Sequence, residues 1–261
     1  MKRHIVAALV LPFIIAYLYY LSPIPYFLAL LILIGMTAMW EFFAMYRVPA
    51  RLYIPGVLSG GMLLYLSCCY PSFLLSGFFV GFFILLLLRL FTGVAPAGSM
   101  SEIGPVGVGL FYIAGFLVFQ WFLRMEPLGR EYIFLLYTSV WMADAGAFYI
   151  GTYLGKNKLF PSVSPNKTWE GAIGSMLGGV SGVVIIKIVF NISSLSFAGA
   201  AAIGVVMGIT ALLGDLIESM FKRDAGVKDS SVFIPGHGGV LDKLDGMLVA
   251  GPFLYLIVRF F

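Results

Sequence analysis

The stretch from Gly214 to Asp245 reads GDLIESMFKRDAGVKDSSVFIPGHGGVLDKLD. Charged residues are 11% of the chain, yet ten of them fall here: Asp215, Glu218, Lys222, Arg223, Asp224, Lys228, Asp229, Asp242, Lys243 and Asp245. His237 is one of only 2 histidines, and Ser219 adds a hydroxyl. Apolar runs flank the stretch on both sides, over 197–213 and 247–261. Ionisable groups between membrane-length apolar segments are costly to bury, so they mark a functional site.

Working outward, composition sets the frame. At 61% hydrophobic and 16% aromatic residues, with a mean hydropathy of +1.02, the chain is far more apolar than a soluble domain. With spans of roughly 20 residues, its 261 residues leave room for about nine and for no separate soluble domain. The fold expected is an all-α polytopic membrane protein. It forms one membrane-embedded domain over 1–261, with scaffold helices in 1–130 that face lipid or a second copy, and catalytic helices and loops in 131–261. Cys68 and Cys69 are adjacent in an apolar run, which excludes a disulfide framework.

The expected spans are 4–22, 26–46, 53–70, 72–92, 103–123, 132–154, 171–190, 196–219 and 244–261. The first is preceded by Lys2 and Arg3 but lacks a small-residue cleavage site, so it is expected to be retained. With the N-terminus inside, Lys2, Arg3, Arg47, Arg51, Arg89, Lys156, Lys158, Lys167, Lys222, Arg223, Lys228 and Lys243 are cytoplasmic. Arg124, Arg130, Lys187 and Arg259 lie outside. That bias is the positive-inside pattern and gives an N-in, C-out topology.

This orientation brings three polar stretches toward one side. In the sixth span, WMADAGAFYIG places Asp144 among Ala143, Gly146 and Ala147, small residues that allow close helix approach. A lone intramembrane carboxylate can be a buried acid bonded to a neighbouring helix, or can face a polar cavity or an ion. Next, GKNKLFPSVSPNKTWEG over 155–171 carries Pro161 and Pro165, which forbid a continuous helix. Asn166 or Thr168 is placed to cap the helix that follows. Hydroxyls, lysines and free N–H groups at a helix start suit an anion such as phosphate. Lys156 and Lys158 read as topology charges, and Lys167 as the better-placed ligand group.

Within the central stretch, Asp215, Ser219 and Lys222 fall at i, i+4 and i+7 of a helix, with Glu218 alongside. A carboxylate and a hydroxyl one turn apart can hold a hard cation, and a basic residue beyond them can meet a phosphate. Pro235 and the glycines around His237 interrupt the helix, and Asp242 and Asp245 face one way at the start of the last span. Oxygen donors with no nearby cysteine point to magnesium or manganese rather than zinc. A salt-bridged loop would also gather these charges, but it gives no reason for the glycine-bracketed histidine.

The run SMFKRDAGVKDSSVFIPGHGGVLDKLD, from Ser219 to Asp245, resembles the C-terminal motif of the phosphatidate cytidylyltransferases, or CDP-diacylglycerol synthases. WMADAGAFYIG and SPNKTWEG are similar to further blocks of that family, while the first 130 residues are similar only in hydropathy. Lys243 departs from the family's usual arginine, which keeps the charge and loses the two-pronged fork. The resemblance implies transfer of CMP from CTP to phosphatidic acid, giving CDP-diacylglycerol and pyrophosphate with magnesium. It implies Asp215 and Asp242 as principal metal ligands, with Asp144 and Asp245 in support. Lys167, Lys222, Arg223 and Lys228 would hold phosphates. Ser164, Asn166, Thr168, Ser219, Asp229, His237, Gly238, Gly239 and Lys243 would line the substrate site. The expected partners are CTP and membrane phosphatidic acid, with no nucleic acid, and a homodimer is left open. The expected location is the cell membrane of a bacterium, with the active site toward the cytoplasm.

Two other classes fit parts of this reading. A CTP-dependent kinase of polyprenols or phytol uses the same nucleotide but needs a base to deprotonate an alcohol, and the HGG block argues against it. A cation transporter could line an ion path with Asp144 and Asp215, yet the internal repeats typical of transporters are not evident.

Overall fold

Long apolar runs cannot leave backbone N–H and C=O groups unpaired in lipid, and helices pair them within the segment. The computed structural model describes residues 24–92, 95–231 and 238–260. Its helices are α1 (Ile24–Met45), α2 (Ala50–Cys69), α3 (Phe73–Leu90), α4 (Ser99–Gly109) and α5 (Phe116–Met125). They are followed by α6 (Gly129–Leu154), α7 (Trp169–Val189), α8 (Phe197–Asp224) and α9 (Leu241–Phe260). A π-helical turn, Leu110–Gly115, joins α4 to α5, so that Ser99–Met125 forms one span.

Among the described residues, 7 helices are long and apolar enough to cross a membrane. Helix α9 is not among them because Asp242, Lys243, Asp245 and Arg259 load its 20 residues with charge. The expected span at 4–22 lies outside the described residues. The chain is thus a polytopic, all-α protein.

The loop expected over 155–170 carries a small antiparallel hairpin, β1 (Lys158–Phe160) and β2 (Ser164–Thr168), pairing Lys158 with Thr168 and Phe160 with Ser164. Pro165 is tolerated because a two-stranded ribbon has only edge strands. Thr168 is the N-cap of α7, its Oγ1 accepting the Gly171 N–H at 3.1 Å. Glu170 accepts the Lys156 N–H at 3.1 Å and the Asn157 Nδ2–H at 2.8 Å, so the first turn of α7 anchors the approach to the hairpin.

The chain divides into two compact units. One comprises Met1–Trp121 with Asp229–Asp242, and the other Phe122–Lys228 with Lys243–Phe261. In the first, Phe42, Phe43, Leu52 and Leu64 are fully buried, and the Trp121 indole N–H donates to the Cys68 carbonyl at 2.9 Å.

In the second, small residues set the helix spacing. A Cβ on Gly178 would overlap the Met142 carbonyl, and one on Gly146 would overlap that of Gly174. Helices α6 and α7 therefore touch backbone to backbone beside Asp144. Ser175 Oγ donates to the Gly208 carbonyl at 2.9 Å, tying α7 to α8. A Cβ on Gly214 would overlap the Asp245 carbonyl, so α8 and α9 meet where Asp215 and Asp245 stand.

Candidate active site

In the second unit the site is built from α6, the hairpin, α8 and α9. Lys167, near the end of β2, extends its ammonium to Asp215 Oδ2 as an ion pair, and each side chain keeps about a quarter of its exposure. Ser219, one turn after Asp215, donates its Oγ–H to Asp215 Oδ1 at 3.2 Å. Asp144 and Asp245 add their fields to that of Asp215 at the Lys167 ammonium. Burial pulls this ammonium down, but the Asp215 charge and hydrogen bond, with Asp144 and Asp245 behind, outweigh it. The net direction is up, and Lys167 stays charged. Asp144 is exposed although it sits mid-helix, and its electrostatic neighbours are Lys167, Asp215 and Lys243.

The other basic candidates have different settings. Lys222 forms an ion pair with the buried Glu218 at 2.6 Å, across one turn of α8. Arg223 Nε–H donates to the Val163 carbonyl and Nη1–H to that of Val227, both at 3.3 Å, linking the tip of the hairpin to the end of α8. Lys228, Asn166 and Lys243 are exposed, Ser164 is half-buried, and Thr168 is buried and committed to its cap.

In the first unit, Asp242 Oδ2 accepts the Ser230 Oγ–H at 2.9 Å, the Ser230 N–H at 3.1 Å and the Gly239 N–H at 2.6 Å. Gly238 has φ +85°, and a Cβ there would overlap the Asp242 carboxylate, so this bend requires glycine. A carboxylate wrapped by backbone N–H groups at the start of α9 also answers the helix dipole. Asp229 is exposed, and His237 lies outside the described residues.

Sequence reasoning missed Glu41. This acid on α1 is 3% exposed and accepts hydrogen bonds from Ser230, Ser231, Val240 and Leu241. A signal was present: Glu41 is an acid within an apolar span, and the rule that singled out Asp144 applies to it equally.

Among the described residues, no three His, Cys, Asp or Glu side chains converge closely enough to hold a metal ion. Asp144, Asp215 and Asp245 are nevertheless near enough to act on one another electrostatically, and Asp215 is capped by an ammonium. Asp144, Asp215, Asp245 and the Ser219 hydroxyl are hard oxygen donors, the type that magnesium prefers, although they are not gathered into one ligand cluster here.

A family profile described as "Cytidylyltransferase family" matches residues 1–261. The chain is 31% identical over 272 aligned residues to the phosphatidate cytidylyltransferase of Bacillus subtilis (strain 168), covering 100% of this chain and 98% of that protein. It is 40% identical over 160 residues to the protein of that name from Brucella suis biovar 1 (strain 1330), covering 60% of this chain and 58% of the relative. With the Haemophilus influenzae protein of the same name, identity is 47% over 126 residues, or 47% of this chain and 42% of the relative. On a match that runs from the first residue to the last, this chain belongs to the cytidylyltransferase family.

Proposed function

We propose that this protein is a phosphatidate cytidylyltransferase, converting phosphatidic acid and CTP into CDP-diacylglycerol and pyrophosphate. The observation that carries this reading is the Lys167 ammonium set on Asp215 within the field of Asp144 and Asp245. Such mixed charge among membrane helices suits two anionic substrates and a divalent cation. Relatives named for this activity, one of them matched over nearly its full length, support the same reaction.

In the proposed reaction an ionised phosphate oxygen of the lipid attacks the α-phosphorus of CTP. The bond from that phosphorus to the bridging oxygen breaks, and pyrophosphate leaves with its electron pair. The attacking phosphate is already ionised near neutral pH, so no general base is required. The work left to the protein is alignment and charge neutralisation. Lys167 moves from Asp215 to a phosphate oxygen, while Glu218 holds Lys222 extended and Arg223 keeps the hairpin beside α8. Lys228 and Lys243, both exposed, meet the outer phosphates. Asp215, with Asp144 and Asp245, would hold magnesium, and on the sequence reading alone Asp242 would as well. When bound, the ion supplies further neutralisation of the triphosphate.

We infer further a nine-span, N-in topology with this chemistry at the cytoplasmic face, on the strength of the Lys and Arg distribution. The test is product labelling in detergent with purified protein and phosphatidic acid. Label from the α-phosphate of CTP should enter the lipid and label from the γ-phosphate should not. The reverse pattern would make the protein a kinase, and no transfer from either position would remove both readings.

A further inference from the structure

The Glu41 carboxylate lies on α1, far in sequence from every polar stretch singled out above. Its Oε1 accepts the Ser231 Oγ–H at 2.6 Å and the Val240 N–H at 3.0 Å. Its Oε2 accepts the Leu241 N–H at 2.8 Å and the Ser230 Oγ–H at 3.4 Å. All these residues belong to the first unit. The two serines precede residues 232–237 and the two amides follow them, so one buried side chain pins both flanks of that segment. Leu241 opens α9 and Val240 precedes it; the first N–H groups of a helix have no partner within it, and Glu41 supplies one from another helix.

The surroundings have been shaped to admit this carboxylate. A Cβ on Gly239 would lie 2.5 Å from Glu41 Oε2 and would overlap Ser230 Oγ, so no larger residue fits at 239. Ser230 is shared: its hydroxyl faces Glu41 Oε2 at 3.4 Å and Asp242 Oδ2 at 2.9 Å. Two carboxylates thus compete for one hydroxyl proton, which links the setting of Asp242 to that of Glu41. Ser231 Oγ–H and the Val240 and Leu241 N–H groups donate to Glu41, while the single Ser230 hydroxyl proton serves one of the two carboxylates at a time.

We propose that Glu41 is a positioning residue for the cytidylyl transfer: it holds the glycine pair and Asp242 in the arrangement that receives CTP. This rests on the function proposed above. It assigns to the N-terminal helices a part in nucleotide affinity, beyond scaffolding.

The experiment uses the full chain in detergent with Glu41→Ala, Glu41→Gln and Ser231→Ala. Amide hydrogen exchange over 229–242 and steady-state kinetics against CTP and phosphatidic acid are both measured. Glu41→Ala is expected to speed exchange at Val240 and Leu241 and to raise KM for CTP at least about tenfold, the scale of one lost hydrogen bond to a charge. KM for phosphatidic acid should stay within about twofold on the same reasoning, since the lost bonds lie beside Gly238 and Gly239, the pair proposed to receive CTP. Glu41→Gln keeps an acceptor oxygen and should fall between, and Ser231→Ala should reproduce a smaller CTP effect even if Glu41→Ala fails to fold. Unchanged exchange in Glu41→Gln and Ser231→Ala would overturn the clamp. Faster exchange with an unchanged KM for CTP would overturn the positioning role. If the wild-type protein transferred no label from CTP, the function proposed above would fall, while the exchange arm would still report on the clamp.

Discussion

Replacing Lys167 with methionine removes the ammonium from Asp215 and keeps the length of the side chain. Two effects of opposite sign follow. Asp215 loses its cationic partner and becomes a better ligand for a divalent ion, and the triphosphate loses a donor that the hairpin had placed in advance. Loss of one preorganised charge-stabilising group lowers turnover by about 10²- to 10³-fold. The pair retains about a quarter of its exposure, so water offsets part of this and the lower end, about 10²-fold, is expected. Stability should fall by less than about 1 kcal/mol for the same reason. The sign of the pH dependence follows from the raised Lys167 value. The stabilisation is fully present below the ordinary lysine value of 10.5 and is lost only as pH rises through the higher folded one. Between about pH 6 and 9 the charge is constant, so the deficit should be flat across that window. The assay is CTP-dependent formation of CDP-diacylglycerol over a grid of CTP and magnesium concentrations, with Lys167→Arg as the variant that restores charge. Activity of Lys167→Met within about threefold of wild type at subsaturating CTP would refute the phosphate-donor role. It would leave Lys167 as a partner that merely neutralises Asp215.

Asp215→Asn should cost at least about 10²-fold in turnover while the protein inserts and purifies normally; near-normal activity at saturating magnesium would remove Asp215 from the ion. Gly214→Ala puts a methyl group onto the Asp245 carbonyl and should destabilise the protein by about 1–3 kcal/mol, read as a lower unfolding temperature in detergent. A cysteine at Ser162 should react with impermeant thiol reagents only from the cytoplasmic side, and one at Ser193 only from outside; labelling of both from one face would break the nine-span count.

Much of this molecule could be read from local pattern. Among the described residues, the apolar runs gave the helices to within a few residues, because in lipid the backbone has no alternative. Thr168 as a helix cap and Ser219 one turn from Asp215 are short-range geometry, and both reappear as hydrogen bonds. The hairpin was hidden because KLF and SPNKT alternate no apolar residues; it is held by Glu170 and by pairing across a turn, not by a buried face. The pairing of Lys167 with Asp215 was equally out of reach, because each end has several opposite charges at similar sequence distance. Glu41 was legible as an acid within an apolar span, but its partners were not, because they lie about 190 positions away, where spacing rules have no reach.

That separation has a consequence for how the chain is made. At roughly 5–20 residues per second, the partners of Glu41 emerge about 10–40 seconds after it does. Through that interval α1 carries an acid whose donors do not yet exist. Because Asp229–Asp242 belongs to the unit that opens at the N-terminus, that unit cannot close until nearly all of the intervening one has been synthesised. The usual order, in which an N-terminal body folds before the next begins, is therefore unavailable to this protein. A ribosome stalled before residue 230 should leave α1 without its lock, with the carboxylate open to water or to an insertase, until the last helix arrives.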